Sequence, residues 1–428
     1  MNRISGLKII IMLIIGSWIQ SHARAQNETI MANGSHIIGT CGDTIILRGV
    51  NYAAYNWGYD PSDLRISEIA ASGANSVRLP WYTSSASGGG FVYDDISYLN
   101  AAINQCVVNK MIPIIELHDL TGDPDFNKII QLSNWYLRQD VNSMISNYKH
   151  SLIINVANEA GSVMNSQQLA DFMNTYQIVV TNLRNGGISV PLMIDAPNFG
   201  TDIDLLASIA PALQAEDPLH NLIFSAHAYW YYYASNDSTI FRNKITNAMS
   251  QGVPFVLGEI CNLQYGTSPC ELTVNYKPLL GICQQLNVSW LAWVWDHDAC
   301  SESQVSTNGN FNSLSTYGNT IVNNPDFGLF QHSTIAYYLA NNQTCNTGIH
   351  INPGLKEVPF IVYASDGGTL IKSLVTGNLE VNVFDEIGRK EKSYLLAGLS
   401  NQYLELPSGI HLFSAAYKHK MYSQKLVE

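Results

Sequence analysis

Residues 152–184 read LIINVANEAGSVMNSQQLADFMNTYQIVVTNLR. A short β-branched run at 152–156 leads into a polar turn carrying Asn158 and Glu159, and residues 167–184 then place apolar side chains at helical spacing. This is one strand-loop-helix unit. Seven more apolar runs flank it, at 46–51, 76–79, 113–117, 192–195, 222–225, 255–259 and 290–294. Helical patterns such as 61–71, 97–109 and 127–147 lie between them. Eight such repeats over roughly 300 residues predict an α/β fold, the (β/α)8 TIM barrel. An open doubly wound sheet would carry a glycine-rich phosphate turn after its first strand, and Arg48-Gly49-Val50-Asn51-Tyr52 has none.

The composition narrows the function. Of 428 residues 46% are apolar and 13% charged, which excludes a mainly disordered chain. With 22 basic against 34 acidic residues and a net charge of −12, the chain lacks the cationic surface that holds nucleic acid. Residues 1–25 hold three basic residues and no acid, residues 355–428 hold eight of each sign, and residues 26–354 therefore carry −15. That middle segment suits a neutral polar substrate better than an anionic one.

Arg3 and Lys8, the apolar run 9–19 and Ala23-Arg24-Ala25 read as a secretory signal peptide over residues 1–25. The run is too short to span a membrane and no second one follows, so an exported protein without a membrane span is expected. Export allows the seven cysteines to pair; Cys261–Cys270, Cys283–Cys300 and Cys41–Cys345 are the expected bridges, with Cys106 free. No cysteine or histidine spacing matches a zinc site, and neither metal nor cofactor is expected. The barrel is expected over residues 26–350 as a monomer. After Asn352-Pro353-Gly354, period-2 alternation at 379–384 and 403–406 predicts a small antiparallel β-sandwich over 355–428.

In a TIM barrel the working side chains stand at the C-terminal ends of the strands. Those ends carry Arg78 (second), His118-Asp119 (third), Asn158-Glu159 (fourth), His227 and Tyr229 (sixth), Glu259 (seventh), and Trp293 and Trp295 (eighth). Two carboxylates are the minimum for cleaving a glycosidic bond, and a separation of about 5 to 5.5 Å gives retention. Glu159 and Glu259 can face each other across the mouth. Arg78 can keep Glu259 ionised, and Tyr229 can hydrogen-bond the same carboxylate. His118 and His227 can donate to sugar hydroxyls or tune the acid, while Asn158 can reach a 2-hydroxyl. Trp293 can stack on a pyranose, and its even spacing with Trp295 points both inward on a regular strand. Tyr52, Tyr55, Trp57, Trp81, Tyr82 and the run Tyr229-Trp230-Tyr231-Tyr232-Tyr233 follow strand ends and could stack successive sugars of a polysaccharide in an endo-acting cleft. Two other classes compete: a metal-dependent hydrolase with His118, Asp119, His227 and Asp195 as ligands, and a non-catalytic polysaccharide-binding protein.

The ordered series Arg78, Asn158-Glu159, His227-Ala228-Tyr229, Gly258-Glu259 and Trp293 resembles glycoside hydrolase family 5, the cellulase and mannanase family, over residues 36–345. The resemblance implies a retaining hydrolase with Glu159 as acid/base, Glu259 as nucleophile, and Arg78, His118, Asn158, His227, Tyr229 and Trp293 around them. Residues 48–52, 72–75, 116–122 and 195–200 are similar to the bacterial β-mannanase branch, and Asn198 of the last segment joins the expected substrate-binding set. A mannanase is therefore favoured over an endoglucanase. Ala160 after the acid/base, Ile260-Cys261-Asn262-Leu263 after the nucleophile and Asp296-His297-Asp298 after the eighth strand depart from that branch. The last 60 or so residues resemble the sorting domain of the Bacteroidota type IX secretion system, which implies the secretion machinery as a partner; a carbohydrate-binding module is the competing reading.

Overall fold

The computed structural model describes residues 27–55, 62–84, 95–268, 270–345 and, with short breaks, 359–427. The expected signal peptide and Trp57 lie outside the described residues. Eight parallel strands close into a barrel: Arg48–Asn51, Ser76–Trp81, Ile112–Leu117, Ile153–Asn155, Leu192–Asp195, Leu222–His227, Phe255–Ile260 and Ser289–Ala292. Each pairs with its neighbour in sequence, and the eighth returns to the first with Trp290 opposite Arg48. All eight expected strands are present, to within a few residues at their ends.

Strands covered on both faces must be apolar on both, and every residue of these strands is buried. Outward-facing Val77, Ile115, Ile154, Ile194 and Phe224 pack in one large cluster with the surrounding helices. Inward-facing positions change character along the barrel axis. Ile112, Ile114, Ile153, Met193, Ile223, Val256 and Leu291 form an apolar cluster at the N-terminal end of the strands. Two residues further along the same faces stand Glu116, Asn155, Asp195 and, after Ser225, His227, all buried. The apolar end is closed by a three-stranded sheet, Met31–Asn33, His36–Ile38 and Thr44–Ile45, whose Ile37 and Ile45 join the same cluster.

Helices alternate with the strands as expected, though the one expected at 61–71 is Ile66–Ala71. The pattern at 127–147 is split into helices Phe126–Ser133 and Gln139–Asn147 by a 3-10 turn, Asn134–Leu137, and by Arg138 at φ −57°, ψ 138°. The break buries Trp135 and Tyr136 and lets the Tyr136 hydroxyl donate to the Asn155 carbonyl at 2.9 Å, a tertiary contact that overrides local helical preference.

Two of the expected cysteine pairings are wrong. Cys41–Cys345 forms, tying the barrel-closing sheet to the chain after the last helix, but the second bridge is Cys270–Cys300. Cys106, Cys261 and Cys283 are free and buried. Cys283 is packed inside the helix Tyr276–Leu286 and Cys261 sits just past the seventh strand, so proximity in sequence misled; only surface loops bring Cys270 and Cys300 together.

Beyond residue 358 two antiparallel sheets form, one of Phe360–Ser365, Gly368–Ser373 and Asn401–Leu404, the other of Leu379–Phe384, Lys390–Leu396, Ile410–Tyr417 and Lys420–Val427. Phe360, Ile371 and Leu404 of the first share one core with Val381, Val383 and Phe413 of the second. Among the described residues no helix is long and apolar enough to cross a membrane.

Candidate active site

The inward-facing polar residues meet at the C-terminal end of the barrel around Arg78. Its guanidinium donates to Glu259 Oε1 at 2.8 Å, Asn158 Oδ1 at 2.7 Å, Asn51 Oδ1 at 2.9 Å and Asn155 Oδ1 at 2.8 Å, with Asp195 and Glu116 at 3.5 and 3.6 Å. A cation with no solvent exposure is tolerated only where its donors and its charge are both met. Burial works against that charge, but Glu116, Glu259, Asp195 and Glu159 together outweigh it and hold the Arg78 pKa above its ordinary value.

Glu159 and Glu259 face each other across His227. The imidazole Nδ1 lies 2.7 Å from Glu159 Oε1 and 3.5 Å from Glu259 Oε1, and a carboxylate oxygen from each glutamate falls within 4.8 Å of the other. The Tyr229 hydroxyl donates to Glu259 Oε2 at 2.7 Å. Two glycines make room for the imidazole: a Cβ on Gly200, whose φ is +68°, would come 2.7 Å from His227 Cγ, and one on Gly258 would come 3.2 Å from Nε2. Glu159 itself has φ +48°, a conformation costly for a residue with a side chain. Its backbone is held on both sides, its N–H donating to Asp195 Oδ2 at 3.3 Å and its carbonyl accepting from Gly122 N at 3.1 Å.

These contacts set the protonation balance. Burial lowers the His227 pKa, but Glu259, Asp195 and Glu159 overcome it and push it up to about 9. Burial raises Glu259 above the ordinary carboxylate value, while His227, Arg78 and the Tyr229 hydroxyl pull against it. His118 is held above its usual value because Glu116, accepting at Nδ1 at 3.0 Å, outweighs desolvation. The site is thus a buried charge cluster that, among the described residues, opens into a cleft.

That opening is a cleft of about 600 Å³ lined by His118, Asn158, Glu159, Tyr229, Glu259 and Trp293, among others. The Trp293 ring stacks on His118 with centroids 6.0 Å apart and planes 15° apart, and its indole N–H donates to Asp298 Oδ2 at 2.8 Å. Asn198 also lines the cleft, but its amide is occupied in bridging Val163 N and O at 2.8 and 3.0 Å.

Two expected substrate-binding residues are elsewhere. Trp295 is fully buried with its N–H on the Gly309 carbonyl at 2.9 Å; the strand ends at Ala292, so even spacing no longer puts both tryptophans on one face. Trp230 is fully buried against Tyr233 and Phe241, its N–H on the Thr201 carbonyl at 3.1 Å, and it is a packing residue. Tyr52, Tyr55 and Trp81 are likewise core. The alternative ligand set does not converge. Asp119 turns both oxygens to Thr83, while His118 faces Glu116. Among the described residues, the carboxylate-histidine group close enough to hold a cation is Glu159, His227 and Glu259 themselves.

Reading only strand ends left Glu116, Asn155 and Asn51 without roles. Asn155 orients both Arg78 and Asp195, to which it donates at 3.1 Å, and Asn51 donates to the carbonyls of Gly258 and Ala292. The available signal was a carboxylate or amide within or closing an otherwise apolar strand, as with Glu116 in Ile112-Pro113-Ile114-Ile115-Glu116-Leu117.

Residues 38–299 match the family model described as Cellulase (glycosyl hydrolase family 5). The chain is 29% identical over 288 residues to a mannan endo-1,4-beta-mannosidase of Cellvibrio japonicus (strain Ueda107), an alignment covering 66% of this chain and 63% of that protein. It is 28% identical over 306 residues to a mannan endo-1,4-beta-mannosidase of Streptomyces lividans, covering 68% and 73%. The crystal structure of beta-mannanase from Streptomyces thermolilacinus shares the fold, with TM-score 0.63 at 22% identity over 73% of this chain and 99% of that one.

Proposed function

The chain belongs to glycosyl hydrolase family 5, and from that premise we propose that it is a retaining endo-β-1,4-glycanase that cleaves internal bonds of mannan or glucomannan. The observation that carries the chemistry is the Glu159–Glu259 pair, with carboxylate oxygens within 4.8 Å at the floor of an open cleft, the short separation that retention requires. Glu259 attacks the anomeric carbon while Glu159 protonates the departing glycosidic oxygen, giving a glycosyl ester on Glu259. Glu159 then takes a proton from water, which displaces Glu259 and restores both groups. Arg78 and Tyr229 hold Glu259 ionised and oriented. His227, between the two carboxyl groups, keeps their charges apart. Asn158 faces the 2-hydroxyl, Trp293 supports the ring of the cleaved sugar, and His118 lies beside it.

Mannan is preferred to cellulose because both relatives described above carry the name mannan endo-1,4-beta-mannosidase. The test is release of reducing ends from galactomannan, glucomannan, carboxymethylcellulose and xylan by the parent, Glu159→Ala and Glu259→Ala. The proposal expects the mannans to be cleaved fastest and each substitution to cost at least about 10³-fold. Equal activity in either variant contradicts the mechanism, and faster cleavage of carboxymethylcellulose reassigns the substrate.

We further propose an extracellular, monomeric product. Residues 1–25 act as its export signal, 26–350 as its catalytic domain and 355–428 as a sorting domain read by the type IX machinery. Deleting 355–428 is expected to leave the enzyme inside the cell envelope; unchanged export contradicts that assignment.

A further inference from the structure

One wall of the cleft comes from the two segments whose sequences depart from the β-mannanase branch. Cys261, Leu263, Gln264 and Tyr265 after the seventh strand line it together with Cys270 and with Cys300 from the loop after the eighth strand. Leu263–Gln264 and Leu272–Thr273 pair antiparallel, and Val274 N closes the pair on the Asn262 carbonyl at 2.8 Å. This small unit is braced on two sides. The Cys270–Cys300 bridge and a bond from the Asn262 amide to the Glu302 carbonyl at 2.9 Å tie it to the loop after strand eight. Tyr231 N donating to Gln264 Oε1 at 2.9 Å, and the Asn236 amide to the Thr273 carbonyl at 2.9 Å, tie it to the loop after strand six. Within the turn, the Glu271 carboxylate accepts from Thr267 N, Thr267 Oγ1 and Ser268 N.

All this bracing holds one aromatic ring in the open. Tyr265 is 65% exposed and lines the cleft, whereas Trp230 and Trp295 are buried. A large ring left in water on a loop fixed at both ends gains nothing for the fold, and a rigid ring loses little entropy when a ligand stacks on it. We propose that Tyr265 is a stacking platform for one pyranose of a β-1,4-linked chain, and that the Cys270–Cys300 bridge is the clasp that holds it at the cleft. Tyr265 follows the seventh strand and Trp293 the eighth, and both line the cleft, so the platform acts on oligosaccharides long enough to reach both. This inference rests on the glycanase reading.

The test is calorimetric titration of β-1,4-mannohexaose and cellohexaose into the disulfide-bonded full-length chain carrying Glu259→Gln, which removes turnover. Tyr265→Ala is expected to weaken the tighter hexasaccharide roughly tenfold, Tyr265→Phe to restore it to within about twofold, and Cys270→Ser with Cys300→Ser to weaken it severalfold. Phe330→Ala, at a ring 66% exposed that does not line the cleft, is the control and is expected to change nothing. In the active enzyme Tyr265→Ala should raise KM for the hexasaccharide more than it lowers kcat. A dissociation constant within twofold of the parent for Tyr265→Ala overturns the platform and leaves the glycanase reading standing. A parent that binds neither hexasaccharide overturns both.

Discussion

Two arginines on adjacent barrel strands, Arg48 and Arg78, are both completely buried, yet they live in opposite surroundings. Arg48 opens the first strand and packs over Trp290 at 5.6 Å; its donors go to the carbonyls of Leu47 and Val288 at 3.1 and 2.5 Å and to Gln284 Oε1 at 3.2 Å. Among the described residues no carboxylate pairs with it, and burial pushes its pKa down to about 10. Arg78 stands at the other end of the barrel amid four carboxylates, which hold its pKa up. The same side chain thus closes hydrogen bonds at one end and balances charge at the other. An arginine whose terminal N–H groups meet carbonyls and an amide is part of the scaffold; one set in a cluster of acids that opens into a cleft marks a candidate reaction site.

Substitution should separate the two most strongly at Arg78. Arg78→Met leaves Glu116, Asp195 and Glu259 buried without their cation, and is expected to cost about 3 to 5 kcal/mol of stability together with nearly all activity. Denaturation midpoints and hydrolysis rates measured on the same preparations check this, and retention of activity would end the distinction.

A pH titration sharpens it next. The folded pKa of His227, raised from 6.5 to about 9, gives stability that is fully present below pH 6.5 and lost as pH rises through about 9, an effect of roughly 3 kcal/mol. Melting temperatures from pH 6 to 10 should fall across that window in the parent, and the fall should be much smaller in His227→Gln. Arg48→Met comes third. It should cost about 2 kcal/mol through lost charge-assisted bonds, while kcat and KM stay within twofold of the parent. The smallest effects belong to Trp230→Phe and Trp295→Phe. Each loses one buried indole hydrogen bond, about 1 kcal/mol, with KM unchanged, whereas Trp293→Ala should raise KM.

The same contrast explains what the sequence disclosed. The eight strands are legible because burial on both faces forces β-branched runs of strand length, and Arg78, Glu159 and Glu259 are legible because they end such runs. Glu116 and Asn155 belong to the same cluster, Glu116 inside its strand and Asn155 closing a strand with an uncharged amide. Their role depends on Arg78, one strand away from Glu116 and two from Asn155, which no linear pattern displays. Trp293 and Trp295 were equivalent under period-2 alternation and part only because regular pairing stops at Ala292. Cys270–Cys300 joins two loops 30 residues apart whose meeting is fixed by barrel closure, so short-range spacing pointed to the wrong partners.

The proposed role of the cluster around Arg78 is to keep Glu259 available as a nucleophile opposite Glu159. Its most direct test is mass spectrometry of the chain after reaction with an activated 2-deoxy-2-fluoro-β-mannoside, whose glycosyl-enzyme ester hydrolyses slowly. One fluorosugar per chain, on the peptide containing Glu259 and absent in Glu259→Gln, is the predicted result. A label on Glu159 or on any other residue would contradict it.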